Sequence, residues 1–139
     1  MKILIKNGLV DTMEENRERF RGDVLVENGK IVKVAPDIQE EDAEIIDAEG
    51  LYVMPGLIDA HTHIGLFDFN HESSVDDANE MTDPVVIDLD ARFGMNPKAR
   101  EFRVSYEHGI TTLLVTPGSG EVFCGLPVAV KTYGDNVFD

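Results

Sequence analysis

The feature that most limits how this chain can fold is the dipeptide Pro55-Gly56, because the structural period of the sequence changes there. Before it, short runs rich in Ile, Leu and Val are separated by two-residue turn signals. Asp23-Val24-Leu25-Val26-Glu27 and Lys30-Ile31-Val32-Lys33-Val34 flank Asn28-Gly29. An Asn-Gly pair in that setting predicts a hairpin, since a type I′ turn needs positive φ at both central residues. Lys2 to Val10 is a further run, and Asn7-Gly8 inside it predicts a strand with a turn or bulge. Glu44 to Ala48 and Leu51 to Met54 bracket Glu49-Gly50 and read as another pair. Residues 1–55 are therefore expected to form a small, all-β part.

After Pro55-Gly56 the elements lengthen. Leu57 to Ile64 reads as a buried strand. The polar stretch Gly65 to Asn96 follows, a length that in compact domains belongs to active-site loops, lids or disorder. At most a short helical turn near Asp83-Pro84-Val85 is expected in it. Asn96 as N-cap and Pro97 at the first helical position predict a helix start. Ala99, Phe102, Arg103 and Tyr106 share one face, and Gly109 stops the helix. Ile110 to Thr116 is a β-branched strand ending at Pro117-Gly118, and GLPVAVKTY suggests one more short strand. Strand, excursion, helix and strand make a βαβ unit with a parallel pair. Residues 56–139 are thus expected as a second, α/β part.

Composition narrows the function classes. Hydrophobic residues make up 42% of the chain, enough to fold. Against 12 basic side chains stand 27 acidic ones, for a formal charge of −15. Such a balance repels phosphate backbones and anionic membranes, which argues against nucleic-acid and membrane partners. The acidic run at residues 39–44 reads as a solvated loop. Cys124 is the only cysteine, so no intrachain disulfide can form and a reducing compartment is expected. It reads as a packing residue. The N-terminus meets polar residues too early for a signal-peptide core, and no apolar run reaches transmembrane length. A soluble, cytoplasmic protein is expected.

The chemistry lies in Asp59-Ala60-His61-Thr62-His63. Alternation along a strand puts Asp59, His61 and His63 on one face. Two imidazoles at such positions can converge on one ion, and their neutral nitrogens suit zinc or another divalent metal. At the carboxyl end of a first parallel strand they occupy the end where such folds place chemistry. Asp59, deeper on the face, is expected to orient a histidine as an outer acceptor. Two ligands are fewer than a zinc site needs. His71, Asp68 and Asp76-Asp77 read as solvated loop residues, and Lys131 as surface. His108 suits the end of a helix, where the dipole favours a cation. No catalytic acid, base or nucleophile is assigned.

Val53-Met54-Pro55-Gly56-Leu57-Ile58-Asp59-Ala60-His61-Thr62-His63 resembles the signature of the amidohydrolase superfamily. VENGKIVKV and EIIDAEGLYV resemble the N-terminal β-sandwich segment of that superfamily. Asn79-Glu80-Met81-Thr82-Asp83-Pro84, Gly109-Ile110-Thr111-Thr112, Pro117-Gly118-Ser119 and Val128-Ala129-Val130-Lys131-Thr132 are similar to its imidazolonepropionase-like branch. The resemblance implies a partial β-sandwich followed by the first βα units of an incomplete TIM (β/α)8 barrel. It implies one or two divalent metals, with His61 and His63 matching the first-strand ligands. It also implies a metal-activated water that hydrolyses amide or cyclic-amide C–N bonds of a small molecule. Further ligands in the superfamily come from later strands: a lysine or glutamate, two more histidines and an aspartate. A full barrel takes about 250 residues, whereas this chain runs only to Asp139. The expectation is an N-terminal fragment, inactive alone, that self-associates or meets a complementary C-terminal half. The alternative is a non-catalytic, partner-binding domain that keeps a relic of the metal motif, since a half-built sheet leaves edges for another chain.

Overall fold

The computed structural model describes residues 1–67, 78–134 and 136. The chain separates into two compact units, Met1–Pro55 and Gly56–Asp139.

The first unit holds β1 (Lys2–Val10), β2 (Phe20–Glu27), β3 (Lys30–Ala35), β4 (Glu44–Asp47) and β5 (Tyr52–Val53). They form one sheet in the order β3-β2-β1-β4, with β5 also on β1. β2 and β3 make the expected hairpin, with Asn28 at φ 51 and Gly29 at φ 76. β1 pairs antiparallel with β2 through a bulge between Ile5 and Gly8, where Asn7 takes φ 64.

The pairing expected between the strands flanking Glu49-Gly50 does not form. Both β4 and β5 lie parallel to β1, in succession along the same edge: Ile3 faces Glu44, and Leu9 faces Tyr52. The bulge explains the interruption. The Asn7 side-chain amide donates to Asp47 Oδ1 at 3.0 Å, and the Leu51 N–H closes a turn on the Ala48 carbonyl at 3.0 Å. With Gly50 at φ 79 the chain steps over the bulge and resumes its direction instead of reversing.

Leu4, Leu25 and Ile38 form the small core of this unit. Ile38 is locked over the sheet by a buried carboxylate. Asp23, only 2% exposed, accepts the Asn7 N–H and the Ile38 N–H, each at 2.9 Å, and its Oδ2 lies 3.5 Å from Lys6 Nζ. Burial pushes the Asp23 carboxyl up, but these two N–H donors and the Lys6 ammonium together hold it below its ordinary value.

The second unit contains β6 (Leu57–Thr62), α1 (Ala91–Gly94), α2 (Arg100–Glu107), β7 (Ile110–Val115) and β8 (Val128–Lys131). β6 and β7 run parallel, with Leu57 facing Ile110, Asp59 facing Leu113 and Thr62 facing Val115. β8 pairs antiparallel with β7, Leu113 facing Val130, so this strand does not continue the parallel order of a barrel. The close approach of β6 and β7 accounts for Gly56: a Cβ there would lie 2.1 Å from Thr111 Oγ1.

Two helix expectations are corrected. The helix does not begin at Asn96-Pro97 but at Arg100, with Ala99 as N-cap. The Asn96 side chain accepts the Lys98 N–H at 3.0 Å, and the Ala99 N–H bonds to the Asn96 carbonyl at 3.1 Å. These bonds close a separate turn before the helix. Of the residues expected to share one face, Phe102 is buried, while Arg103 is exposed and pairs with Glu107 at 2.7 Å. The short helix of the long connection lies at α1 rather than near Asp83-Pro84-Val85. Asp90 caps it by accepting the Arg92 N–H at 2.9 Å, whereas Val85 is bridged to Phe123.

Leu66, Met95, Phe102, Leu113 and Val115 make the core beneath this sheet. Burying each such side chain contributes about 1.5–3 kcal/mol relative to exposure. α2 and β7 thereby fix the carboxyl end of β6, where the histidines stand. No helix among the described residues is long and apolar enough to cross a membrane.

Candidate metal centre

β6 delivers His61 within the strand and His63 just past its end. His61 is exposed and His63 half-buried. Their ring centroids are 5.2 Å apart, with the planes at 79°. His63 also meets the Phe67 ring edge-on at 5.9 Å. The two imidazoles are thus brought together, as their spacing requires.

The orientation of His63 comes from the neighbouring strand. Its Nδ1 lies 2.8 Å from the Thr116 carbonyl oxygen. A carbonyl can only accept, so Nδ1 carries the proton and Nε2 keeps its lone pair. This is the arrangement metal-binding histidines use: one nitrogen donates to an outer acceptor and the other faces the ion. The parallel ladder puts that carbonyl in place, because the Thr116 N–H donates to the Thr62 carbonyl at 2.8 Å. Sequence reasoning did not find Thr116. Its contribution is a main-chain oxygen with no residue-type signature, and only the register of β6 on β7 locates it.

Asp59 sits half-buried on β6, and its Oδ1 accepts the backbone N–H of His61 at 3.1 Å. It braces the strand between itself and His61, and Thr116 is the acceptor on the His63 ring. The ladder shifts register between Asp59 and Thr62, which breaks the simple alternation that put Asp59 under the imidazoles.

The other ionisable residues have local tasks. His108 is the C-cap of α2, with Nδ1 2.8 Å from the Val104 carbonyl. Lys131 donates to Thr112 Oγ1 across the β7–β8 ladder at 2.9 Å and is exposed. Cys124 is half-buried, its sulfur 3.9 Å from the Glu121 carbonyl. Glu80 is half-buried, and bonds from the Thr82 hydroxyl and N–H lower its carboxyl. His71, Asp68, Asp76 and Asp77 lie outside the described residues. Among the described residues, no group of three or more His, Cys, Asp or Glu side chains is placed to hold a metal ion. The donor set fits a divalent ion as two imidazole ligands of a larger shell.

A family described as "Amidohydrolase family" matches residues 44–90. A dihydroorotase of Lactococcus lactis is 51% identical over 63 residues, 45% of this chain and 15% of the relative. A 5-methylthioadenosine/S-adenosylhomocysteine deaminase of Thermococcus onnurineus is 49% identical over 69 residues, 48% of this chain and 16% of that protein. An amidohydrolase structure from Thermotoga maritima superimposes with a TM-score of 0.88 at 38% identity, covering 97% of this chain and 35% of that one. The chain is therefore similar to an N-terminal portion of amidohydrolase-superfamily proteins, a β part followed by the first strands of a barrel. The matched stretches span about one sixth of those two curated relatives.

Proposed function

We infer that this chain supplies the first-strand metal ligands, His61 and His63, to an enzyme that hydrolyses cyclic-amide C–N bonds. The observation that carries this reading is the His63 Nδ1 bond to the Thr116 carbonyl, which leaves Nε2 free beside His61. The dihydroorotase name of the Lactococcus relative supports a cyclic-amide substrate. A zinc ion or another divalent metal bound there would polarise the substrate carbonyl and activate water. The chain's own residues prepare the site: Thr116 fixes the His63 proton at Nδ1, and Asp59 braces the backbone that carries His61. The remaining ligands would come from outside the described residues, since these offer no group of three. On this reading the chain alone turns over no substrate.

Zinc titration of 15N-labelled protein tests the reading. The Nε2 signals of His61 and His63 are expected to move together on zinc addition while those of His108 stay. Zinc that leaves both unmoved rules out the site. Turnover of dihydroorotate or hydantoin by the chain alone, abolished by His61→Ala, would show that the ligand set is complete after all.

A second reading, an associating subunit, is favoured by the state of β6. Among the described residues that strand forms one edge of its sheet, and Leu57 and Ile58 on it are 50% and 71% exposed. An unpaired apolar edge is a template for another chain. The two readings are compatible if association brings the missing ligands.

A further inference from the structure

Asn79 lies on the connection that follows His63, and it grips the loop that follows Thr116. Its Oδ1 accepts the Gly120 N–H at 3.0 Å, and the carbonyl of the adjacent Ala78 accepts the Gly118 N–H at 2.6 Å. The packing is equally close. A Cβ on Gly118 would fall 2.1 Å from Asn79 Oδ1 and 2.6 Å from its Cγ, so only glycine admits the amide. The gripped loop begins one peptide beyond the metal centre. The carbonyl that holds His63 belongs to the planar Thr116–Pro117 peptide group. Proline also restricts Thr116 to extended backbone. Fixing Pro117 to Gly120 therefore fixes the direction in which the Thr116 carbonyl points.

We propose that Asn79 is a positioning residue for His63. By anchoring the loop after β7, it holds the Thr116 carbonyl where it accepts the hydrogen bond from Nδ1–H and leaves Nε2 for an ion. The inference rests on the reading of His63 as a metal ligand and adds the residue that keeps the ligand correctly protonated. Outer partners of metal-bound histidines act in this way, and their loss weakens metal binding about 10- to 100-fold. A merely structural Asn79 would alter stability and leave the imidazole as it is.

Imidazole 15N NMR reads the tautomer of each histidine with no metal present. In the wild type, His63 is expected to be held as the Nδ1–H form. Asn79→Leu keeps the size of the side chain but not its acceptor, and Gly118→Ala displaces the amide without altering Asn79. Each is expected to convert His63 to a mixture of tautomers and to weaken zinc binding about tenfold or more. Asn79→Asp, which retains Oδ1, is expected to keep the wild-type tautomer. His108, bonded to the Val104 carbonyl in the same unit, should be unchanged throughout and reports that the fold is intact. Should Asn79→Leu fail to fold, Gly118→Ala and Asn79→Ser carry the same comparison. A His63 that stays wholly Nδ1–H in the folded variants overturns the proposal, as does any other tautomer in the wild type. Zinc that binds neither histidine of the wild type instead sinks the metal reading, and the metal-free tautomer result separates the two failures.

Discussion

His63 and Thr116 stand 53 positions apart, yet the imidazole Nδ1 of the one lies 2.8 Å from the carbonyl oxygen of the other. The last rung of the β6–β7 ladder makes this contact, because the Thr116 N–H bonds to the Thr62 carbonyl. The parallel pairing is therefore part of the site's chemistry as well as its scaffold. Fold and the His63 tautomer are set by the same strand.

The first prediction separates the main chain of Thr116 from its side chain. The Thr116 hydroxyl lies 3.4 Å from His63 Nδ1 and 3.5 Å from the Thr62 carbonyl, both at the limit of a hydrogen bond. Thr116→Val removes the hydroxyl and keeps the carbonyl. We expect it to cost about 0.5 kcal/mol, roughly a twofold to threefold loss in zinc affinity by calorimetry. His63→Ala removes the ligand itself and should cost more than the about 100-fold ceiling for outer partners. Equal losses in the two variants would mean that the hydroxyl, not the carbonyl, orients the ring.

A second prediction concerns acid stability of the first unit. Asp23 accepts two buried backbone N–H groups and lies beside Lys6. Its carboxyl is held below the ordinary value of 3.8. A depressed folded value stabilises above the unfolded value, and that contribution is lost as pH falls through the folded one. Wild-type stability should thus be fully present above about pH 5 and decline below about pH 4. Asp23→Asn, which cannot ionise, should cost about 1–3 kcal/mol at pH 7. Urea unfolding at pH 7 and pH 3 should show the gap between the two proteins narrowing in acid. A gap that widens would reverse the assigned sign.

The β2–β3 turn gives a third prediction. Asn28 and Gly29 both have positive φ, and a Cβ at Gly29 would meet nothing within 4 Å. The penalty for a side chain there is therefore conformational, not steric. Gly29→Ala should destabilise by about 1–2 kcal/mol, the cost of the left-handed conformation for an L-residue. Asn28→Gly should stay within about 0.5 kcal/mol of wild type. Thermal unfolding of both variants decides the matter, and an unchanged midpoint for Gly29→Ala would show that the turn does not constrain the hairpin.

What the sequence made legible was local chemistry. Asn28-Gly29 requires its turn, and the β-branched run at Ile110 to Val115 pairs parallel with β6. His61 and His63 meet because of their spacing on one strand end. What stayed hidden depended on contacts distant in sequence. β4 and β5 align with β1 instead of each other because of a bulge at Asn7, whose amide reaches Asp47. Asn96 looks like a helix cap but spends its side chain on Lys98, which delays the helix to Arg100. Thr116 and Asn79 act through a main-chain carbonyl and a loop, and neither leaves a periodic signal in the sequence. The runs Gly109-Ile110-Thr111-Thr112 and Pro117-Gly118-Ser119 end a helix and begin a loop. Their structural duties explain those residues without specifying a substrate.

The last prediction follows from the exposed side of β6. In the sheet order β6-β7-β8, β7 is the only strand among the described residues that pairs with β6. Ile58 is 71% exposed and Leu57 50% exposed. A strand edge of this kind pairs with another chain unless a charge blocks it. The protein is therefore expected to associate as its concentration rises, and Ile58→Lys is expected to shift it toward monomer. Because Ile58 is already largely open to solvent, the substitution buries no charge, and circular dichroism should match the wild type. Sedimentation velocity across a hundredfold concentration range makes the comparison. A wild type that is monomeric throughout, or an Ile58→Lys protein that associates equally well, would place the association elsewhere or deny it. Where association is seen, zinc binding measured above and below the transition shows whether a second chain adds ligands to His61 and His63. Tighter binding in the assembled form is the expected result, because two imidazoles alone leave half of a tetrahedral shell unfilled.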